Sequence, residues 1–532
     1  MNFVATSRRP LDLPVADALL ATLATAFGAV SLWYPLGRDQ GLFYYAAREW
    51  LLRGQLLYRD VWDHKPPVIY FVHMLALAVF GEHQWAIRVV ELFVAVPLLA
   101  WLTARLAHRH GAPLPRGALG AAWLAVALFY YGYHSFWNTA QCEIWVAVFA
   151  AAALVAALHG RGGLRGAAVA GVLCALALFS KPVAVFFVLV CAGVVVRRAW
   201  ASGSRRTALA LPLLAWATGG GVTGGAILAY FAARKALGPM LDILVGANSA
   251  YVDQERAIHD VAGLYFYTAY TFAWYHPFST LFVVVTAGAV LAVCAGRGAG
   301  LGRRYLLPAV LAAASSAAVL AQLKFYPYHW GTLALAVGVF AATLYGDISA
   351  FAPRRGGAWL APVVFVTAAA GLYSVSTGPA GEWSRAAGRT WRFATAQITS
   401  DEFASTFDIP KFFSNQDSVR AGRYLREYAR PGDTLVVRGF EPQVYAWSGL
   451  HYSGRFFWTA FLTMPTRVYR RDEWLREDRE ALLAAQPRWV VTLTPAARGL
   501  DSSAAFAHFG YVKRLVLKHL TVMELGTTAR AR

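Results

Sequence analysis

The sequence predicts a polytopic α-helical membrane protein that ends in a smaller soluble α/β domain. Of the 532 residues, 58% are hydrophobic and only 15% are charged, and the mean hydropathy is +0.44. A soluble protein carries about a quarter of charged residues. The apolar runs approach the roughly 20 residues that a membrane helix needs. They are continuous rather than alternating, which argues against an outer-membrane barrel.

Roughly eleven segments are predicted to cross the membrane. They lie at about 16–36, 84–105, 117–134, 140–159, 164–180, 183–197, 208–231, 277–296, 305–323, 329–346 and 357–378. The first follows Arg8 and Arg9 and is too long for the apolar part of a cleaved signal peptide. We therefore interpret it as a signal anchor.

The formal net charge of +20 is explained by membrane topology. Five loops between the predicted spans carry clustered arginines, within residues 105–116, 161–165, 197–206, 297–304 and 354–355. Placing the N-terminus in the cytoplasm puts all five loops on the inner side, as the positive-inside rule requires. The basic charge therefore does not indicate nucleic acid, for which no binding motif is present. We expect a multi-pass protein of the bacterial inner membrane, surrounded by membrane lipids, with the C-terminal region outside.

The first outer loop is predicted to contain two juxtamembrane helices, at 41–53 and 66–81, joined by a polar turn at 59–65. Counting 66–81 as a span would put every later arginine loop outside, so we interpret it as an interfacial helix. The first helix carries four aromatic residues expected at the lipid headgroups: Phe43, Tyr44, Tyr45 and Trp50.

A change in composition near residue 380 predicts two domains, a transmembrane domain over 1–380 and an extracytoplasmic soluble α/β domain over 381–532. The second is rich in Arg, Asp and Glu. Its predicted elements are a helix at 415–429 capped by Asn415 or Asp417, strands at 434–439 and 489–493, a helix at 470–485, and a strand or hairpin within 512–525.

Asp39 is the first candidate catalytic residue, since it lies just beyond the first span on the outer side. A carboxylate there is ionised at neutral pH and can act as a general base. The alternative is a helix cap or turn residue. Glu143, at the start of a later span, is a candidate substrate-binding carboxylate, although a helix N-terminus favours a carboxylate in any case.

Lys65 is the candidate partner of a lipid phosphate, with Asp63 and His64 as residues that orient it or bind substrate. The alternative is a lysine that snorkels to the headgroups. Lys181 and Lys324 are the conspicuous cations in short outer loops that otherwise carry few, so we assign both to the same phosphate. Tyr328 and His329 follow Lys324 as candidate substrate contacts, with an aromatic belt as the alternative.

No metal or cofactor is predicted. Cys142, Cys174, Cys191 and Cys294 lie in or beside apolar segments without a CxxC pair. The chain also has no P-loop, no HExxH and no Ser-His-Asp spacing. Within the span 84–105, Arg88 and Glu91 share one helix face, and we interpret them as a structural pair, with a substrate contact as the alternative.

A run of residues in the first outer loop carries a resemblance to a known family. It comprises Asp39, Gly41, Tyr44, Tyr45, Gly54, Tyr58, Asp60, Asp63 and Lys65-Pro66-Pro67. This run resembles the family-39-like bacterial glycosyltransferases of the GT-C class, which include the aminoarabinose transferases of lipid A and relatives of protein O-mannosyltransferases. The stretches 179–182, 324–329 and 439–456 are similar to later parts of the family. The resemblance implies Asp39 as the catalytic carboxylate and Lys65 at the donor's phosphate.

Two departures narrow what the resemblance implies. Gln40 stands where many relatives have a second acidic residue, which argues against metal dependence. His64 stands where aminoarabinose transferases have an acidic residue, which argues against assuming their substrate. The expected function is inverting transfer of a sugar from a polyprenyl-phosphate donor to a lipid, glycan or protein acceptor on the extracytoplasmic face. A flippase for lipid-linked sugars and an inactive subunit of an envelope complex remain the alternatives.

Overall fold

The computed structural model describes most of the chain. The described residues are 15–108, 117–159, 163–201, 206–258, 263, 299–351, 363, 366–367, 379–463, 469–494 and 503–526. The predicted span at 277–296 lies outside them, and so does most of the one at 357–378.

Each of the other nine predicted spans coincides with a helix. These helices are Val15–Gly28, Ala86–Ala107, Ala118–Tyr133, Cys142–His159, Leu164–Ser180, Val185–Ala201, Arg206–Ala233, Ala299–Leu320 and Leu333–Phe351. Among the described residues, six helical stretches are long and apolar enough to cross a membrane by length and composition. The helix Ala86–Ala107 contains a π-helical turn at Glu91–Ala95, and 3-10 turns at Ala29–Trp33, Pro182–Ala184 and Pro327–Thr332 flank three others.

Small residues let two of these helices pack at backbone distance. A Cβ atom added to Gly171 would lie 1.9 Å from the carbonyl oxygen of Trp216, and one added to Gly219 would lie 2.1 Å from that of Ala168. Close approach of this kind drives helix association in membranes, where lipid removes the hydrophobic driving force. Large apolar side chains elsewhere on the helices, such as Leu189 at 63% exposure, face outward.

Two helices follow the first span, as expected, at Arg38–Arg53 and Val68–Phe80. The first, called here the Asp39 helix, does not hold its aromatic residues at lipid headgroups. Phe43, Tyr44 and Tyr45 are buried in protein, and Trp50 is half-buried. Tyr45 lies between Tyr445 and Phe457, with ring centroids 4.3 Å from each. The expectation was wrong for the three buried residues, because protein covers them where lipid was expected: the C-terminal region covers Tyr45, and the helix Val68–Phe80 packs on Phe43.

The C-terminal region forms a small α/β unit. Its strands are β1 (Leu435–Val437), β2 (Trp489–Leu493), β3 (Tyr511–Val516) and β4 (Leu520–Leu525), in the order β1-β2-β4-β3. The pair β1 and β2 is parallel, whereas β4 is antiparallel to both β2 and β3. The last two strands are therefore the hairpin alternative. Its helices are Pro379–Ala394, Ser400–Ser405, Asn415–Tyr428, Gln443–Ser448, Ala460–Thr463, Arg471–Ala485 and Ser503–His508.

The N-cap of the helix Asn415–Tyr428 differs from the predicted one. Ser414 is the N-cap, because its hydroxyl accepts a hydrogen bond of 3.1 Å from the backbone N–H of Asp417. The prediction of Asn415 or Asp417 as the cap was wrong. The side chain of Asn415 instead donates to the carbonyl of Ala404, and Asp417 accepts from the backbone N–H of His519.

The Asp39 helix packs directly on the helix Gln443–Ser448 of the C-terminal region. A Cβ atom added to Gly41 would lie 2.7 Å from the backbone nitrogen of Gln443 and 3.0 Å from its Cα. Only a glycine allows this approach of two backbones without displacing one of them. The first turn of the Asp39 helix is therefore held against the C-terminal region.

We expect Gly41→Ala to destabilise the protein by about 1–3 kcal/mol, because the added methyl group overpacks a backbone contact. Thermal unfolding of the purified protein in detergent measures the effect. Gly388→Ala is the matched control, since this helical glycine has open space where its Cβ would be. That change should be neutral or stabilising by up to about 1 kcal/mol. Equal melting temperatures for the two variants would contradict the close packing.

Candidate active site

Asp39 is the second residue of its helix, and its carboxylate is half-buried. The backbone after the first span runs through Gly37 in an extended conformation before the helix begins. The side-chain amide of Gln141 donates to Asp39 Oδ2 at 3.3 Å. Gln141 lies on the loop before the helix Cys142–His159, so a segment about 100 residues away supports the candidate base.

The turn before the Val68–Phe80 helix forms a chain of hydrogen bonds that ends on Lys65. The Lys65 ammonium lies 2.7 Å from His64 Nε2, and His64 Nδ1 lies 3.0 Å from Asp63 Oδ1. Asp63 Oδ2 accepts a bond of 2.6 Å from the Tyr70 hydroxyl. A lysine donor requires His64 Nε2 to be the acceptor, so the imidazole proton belongs on Nδ1, facing Asp63.

Charge in this turn follows from burial and from neighbours. Burial, followed by the charge of Lys65, lowers the pKa of His64, which favours the neutral imidazole that the hydrogen bonds require. Burial acts to lower the pKa of Lys65, but the carboxylates of Asp39 and Asp63 outweigh it and raise that pKa. Lys65 therefore stays cationic in a site that is largely removed from water.

Glu143 and Lys181 form a buried pair beside this turn. The Lys181 ammonium donates to Glu143 Oε1, and the two side chains are 10% and 2% exposed. Glu143 Oε2 is buried and has no hydrogen-bond partner in the described part of the chain. The same ammonium lies 5.4 Å from the ring centroid of Tyr328. One carboxylate oxygen is thus neutralised, and the other remains available to a bound molecule.

Lys324 brings a third ammonium to the site. It lies over the ring of Tyr251, and the centroid of that ring is 6.0 Å from the centroid of the His64 imidazole. Burial lowers the pKa of Lys324 to about 6, helped by repulsion from Lys65 and Lys181 and opposed by Asp39. Lys324 is therefore the lysine whose positive charge this site stabilises least.

Tyr328 and His329 lie in the 3-10 turn Pro327–Thr332, and both are buried. The Tyr328 hydroxyl lies near enough to Asp39 and Glu143 to interact electrostatically with both carboxylates. His329 interacts electrostatically with all three lysines, and its Nδ1 atom has no hydrogen-bond partner among the described residues.

The structure thus gathers the predicted residues into one site. These residues are Asp39, Asp63, His64, Lys65, Glu143, Lys181, Lys324, Tyr328 and His329. Sequence reasoning missed Gln141, Tyr251 and Asn248, the last of which donates from its side chain to the His64 carbonyl at 3.0 Å. Asn248 and Tyr251 share one face of the helix Asn248–Ile258, in a predicted outer loop whose polar character is the available signal.

Gln40 has a structural role that explains its departure from the family pattern. Its amide donates to the carbonyls of Trp137 and Thr139 at 2.9 and 2.6 Å, so it points away from the site. Arg88 and Glu91, 4.0 Å apart, bind the same loop: Arg88 donates to the Thr139 hydroxyl, and Glu91 accepts from the backbone N–H of Ala140. These contacts agree with the structural pairing expected of Arg88 and Glu91.

The described part of the chain contains no group of three or more His, Cys, Asp or Glu side chains arranged to hold a metal ion. The prediction that the reaction needs no metal remains untested. Cys174 and Cys191 lie in contact between two membrane helices, with both thiols free.

Comparison with known proteins gives a fold and no sequence family. No family model matches the sequence, and neither does any curated protein. The crystal structure of ArnT from Cupriavidus metallidurans bound to undecaprenyl phosphate is similar to this chain over 97% of its length and 98% of ArnT. The two are 14% identical, with a TM-score of 0.58. The apo state of the same ArnT has a TM-score of 0.57 at 14% identity, over 96% of this chain and 98% of ArnT.

The fold is therefore that of the GT-C glycosyltransferases, as the first outer loop predicts. Its particular likeness is to ArnT, an aminoarabinose transferase. The archaeal oligosaccharyltransferase AglB from Archaeoglobus fulgidus, in complex with an inhibitory peptide and a dolichol-phosphate, is more distant. The match spans 90% of this chain and 69% of AglB at 11% identity, and its TM-score of 0.43 is too low to support an argument.

We expect Gln40→Glu to destabilise the protein by about 1–3 kcal/mol near pH 8, because a carboxylate cannot donate to the two loop carbonyls. The folded protein raises the pKa of the introduced acid, so the loss should shrink towards pH 5, where the protonated acid donates again. Gln40→Met loses the hydrogen bonds without adding charge, and its loss should not change with pH. Thermal unfolding of both variants at the two pH values decides the point.

Proposed function

We propose that the protein is an integral membrane glycosyltransferase that moves a sugar from a polyprenyl-phosphate donor to an acceptor on the extracytoplasmic face. The observation that carries the proposal is that a half-buried carboxylate, Asp39, lies close enough to Lys65 and Lys324 to interact electrostatically with both. The likeness of the fold to ArnT bound to undecaprenyl phosphate supports the same chemistry. The acceptor class is a lipid, a glycan or a protein.

Asp39 acts as the general base. It accepts a proton from the acceptor's hydroxyl or amine as that atom attacks the anomeric carbon, while the bond from this carbon to the phosphate oxygen breaks. Attack from the side opposite the leaving phosphate inverts the configuration. The carboxylate is partly open to solvent, and within the described residues its side-chain hydrogen bond is the neutral contact from Gln141. It is therefore free to take the proton.

The lysines hold the leaving phosphate. Lys65 is oriented by His64 and stays cationic, so it supplies a fixed charge where negative charge develops. Lys324 lies near it and gains a partner when an anion arrives. Lys181 is already paired with Glu143, which makes it a weaker ligand for phosphate than the other two.

The acceptor is placed by the opposite side of the site. Glu143 Oε2 is a buried acceptor without a partner among the described residues, and it suits a hydroxyl or ammonium group of the incoming molecule. The Tyr328 hydroxyl interacts electrostatically with both Glu143 and Asp39, so it is near enough to orient the attacking group. His329 Nδ1 offers a further hydrogen bond.

Two features favour transfer over the rival functions. A flippase needs polar side chains along a path through the bilayer, whereas the site residues gather at the end of the bundle that packs on the C-terminal region. The presence of Gln40 in place of an acidic residue suggests an inactive subunit, but the hydrogen bonds of Gln40 to the loop give this residue a structural role instead.

We expect Asp39→Asn to lower product formation by about 10²- to 10⁴-fold, as loss of a general base does. Glycolipids and glycans of a strain lacking the protein, complemented with each variant, are profiled by mass spectrometry. Asp60→Asn is the matched control, since Asp60 lies in the same loop but pairs with exposed Arg59. Full activity of Asp39→Asn would refute the mechanism. Vesicle flux without any product would favour the flippase.

We expect the affinity for polyprenyl phosphate to fall as pH rises from about 7 to about 9, by as much as about tenfold per unit. Phosphate raises the lowered pKa of Lys324, so binding takes up a proton. The extra affinity is complete below about pH 6 and is lost as pH passes the pKa of Lys324 in the complex. The phosphate itself keeps a constant charge over this range, since its second pKa is about 6.

Lys324→Arg is the control for this titration, because a guanidinium keeps its charge throughout the range. Its affinity should stay nearly constant with pH, while Lys324→Met should bind weakly at every pH. Binding of polyprenyl phosphate to the purified protein in detergent gives the curves. Parallel curves for the wild type and Lys324→Arg would show that another group titrates.

A further inference from the structure

The residue before Asp39 is tied to the C-terminal region by a buried ion pair. Arg38 donates from Nε and Nη2 to Glu441 Oε1, at 3.2 and 2.5 Å, and the two side chains are 10% and 5% exposed. The Nη2 group also donates to the carbonyl of Phe412 at 2.7 Å. Two partners that lie far along the chain thus fix the guanidinium of a residue adjacent to the candidate base.

Aromatic rings enclose the same guanidinium. Its central carbon lies 4.5 Å from the ring centroid of Phe412 and 5.2 Å from that of Phe440, and the rings of Phe413 and Trp137 lie within 6 Å. Rings exclude water from the ion pair and attract the cation through their faces. The Arg38 side chain is therefore held in one place.

Glu441 is fixed as firmly as its partner. Its second carboxylate oxygen accepts from the amide of Gln443, which also donates to the Ser418 hydroxyl at 2.9 Å. Glu441 lies just beyond the carboxyl end of β1, beside its parallel neighbour β2. This edge is where open α/β sheets bind their ligands. Here the edge binds the Asp39 helix.

The tether acts on the part of the Asp39 helix that most needs it. The first turn of any helix has N–H groups without intrahelical partners and is the first to fray. Gly37 caps this helix without a side-chain hydrogen bond. The packing of Gly41 on Gln443 and the pair of Arg38 with Glu441 hold the turn on both sides of Asp39.

We propose that Arg38 and Glu441 are positioning residues, through which the C-terminal region holds the Asp39 carboxylate in its catalytic place. The inference rests on the proposed function for its effect on rate, but the effect on the helix does not depend on that function. A displacement of about 1 Å can lower a rate on the order of a hundredfold.

The test replaces the ion pair by apolar side chains of similar length, in Arg38→Met/Glu441→Met. Such replacement of both partners is often neutral for stability, whereas removal of one partner leaves a buried charge. The matched control is Arg488→Met/Asp433→Met, since that pair is 11% and 10% exposed and lies at the amino end of β1. Glu524, the second carboxylate partner of Arg488, keeps its ion pair with Arg514 in this control. Glu441→Gln is a milder second variant, in case the double variant does not fold.

Three measurements are made on full-length protein. Product formation in membranes should fall on the order of tenfold to a hundredfold for Arg38→Met/Glu441→Met, less for Glu441→Gln, and should be unchanged in the control. The affinity for polyprenyl phosphate should stay within about twofold of wild type in all of them, because the pair does not touch the phosphate site. Backbone hydrogen exchange at 39–44 should accelerate in the two tether variants alone.

Unchanged exchange at 39–44 in both tether variants would overturn the positioning role, and so would an equal loss of product in the control pair. If the wild-type protein forms no product, the proposed function fails, while the exchange measurement still decides whether the tether holds the Asp39 helix.

Discussion

Concentrating five ionisable side chains in a largely dry site is the constraint on which the rest of the structure depends. Asp39, Lys65, Glu143, Lys181 and Lys324 come from five segments of the chain. Taking each charge out of water costs several kcal/mol unless partners compensate. The three lysines are compensated to different degrees. Lys181 forms a direct ion pair, and Lys65 has a hydrogen bond to His64 and two nearby carboxylates. Lys324 lies over an aromatic ring.

The surrounding scaffold keeps those partners in register. The loop between the helices Ala118–Tyr133 and Cys142–His159 carries Gln141, and three buried side chains hold it: Gln40, Arg88 and Glu91. None of the three takes part in the proposed chemistry. Their side chains form hydrogen bonds with backbone atoms of the loop, and these bonds satisfy buried polar groups that would otherwise lack partners. A second set of buried polar residues thus holds the loop that carries Gln141.

The sequence predicts what depends on local patterns. Nine spans and the strand Trp489–Leu493 follow from hydropathy and alternation, and family motifs point to Asp39 and Lys65. Contacts between distant segments could not be predicted in this way. An aromatic, amphipathic helix suits lipid or protein equally well, so nothing near Tyr45 says that Tyr445 and Phe457 cover it. The prediction of the helix cap missed Ser414 for a simpler reason, since Ser and Asn are both good N-cap residues and they are adjacent here.

The uneven compensation of charge suggests how the site is poised. Lys181 is satisfied by Glu143, and Lys65 is satisfied by Asp39 and Asp63, but Lys324 has no carboxylate of its own among its described contacts. An anion is therefore the partner that this arrangement lacks. In the proposed function a lipid phosphate supplies that charge, and it leaves Asp39 free of ion pairing with Lys324 at the moment when Asp39 would accept a proton.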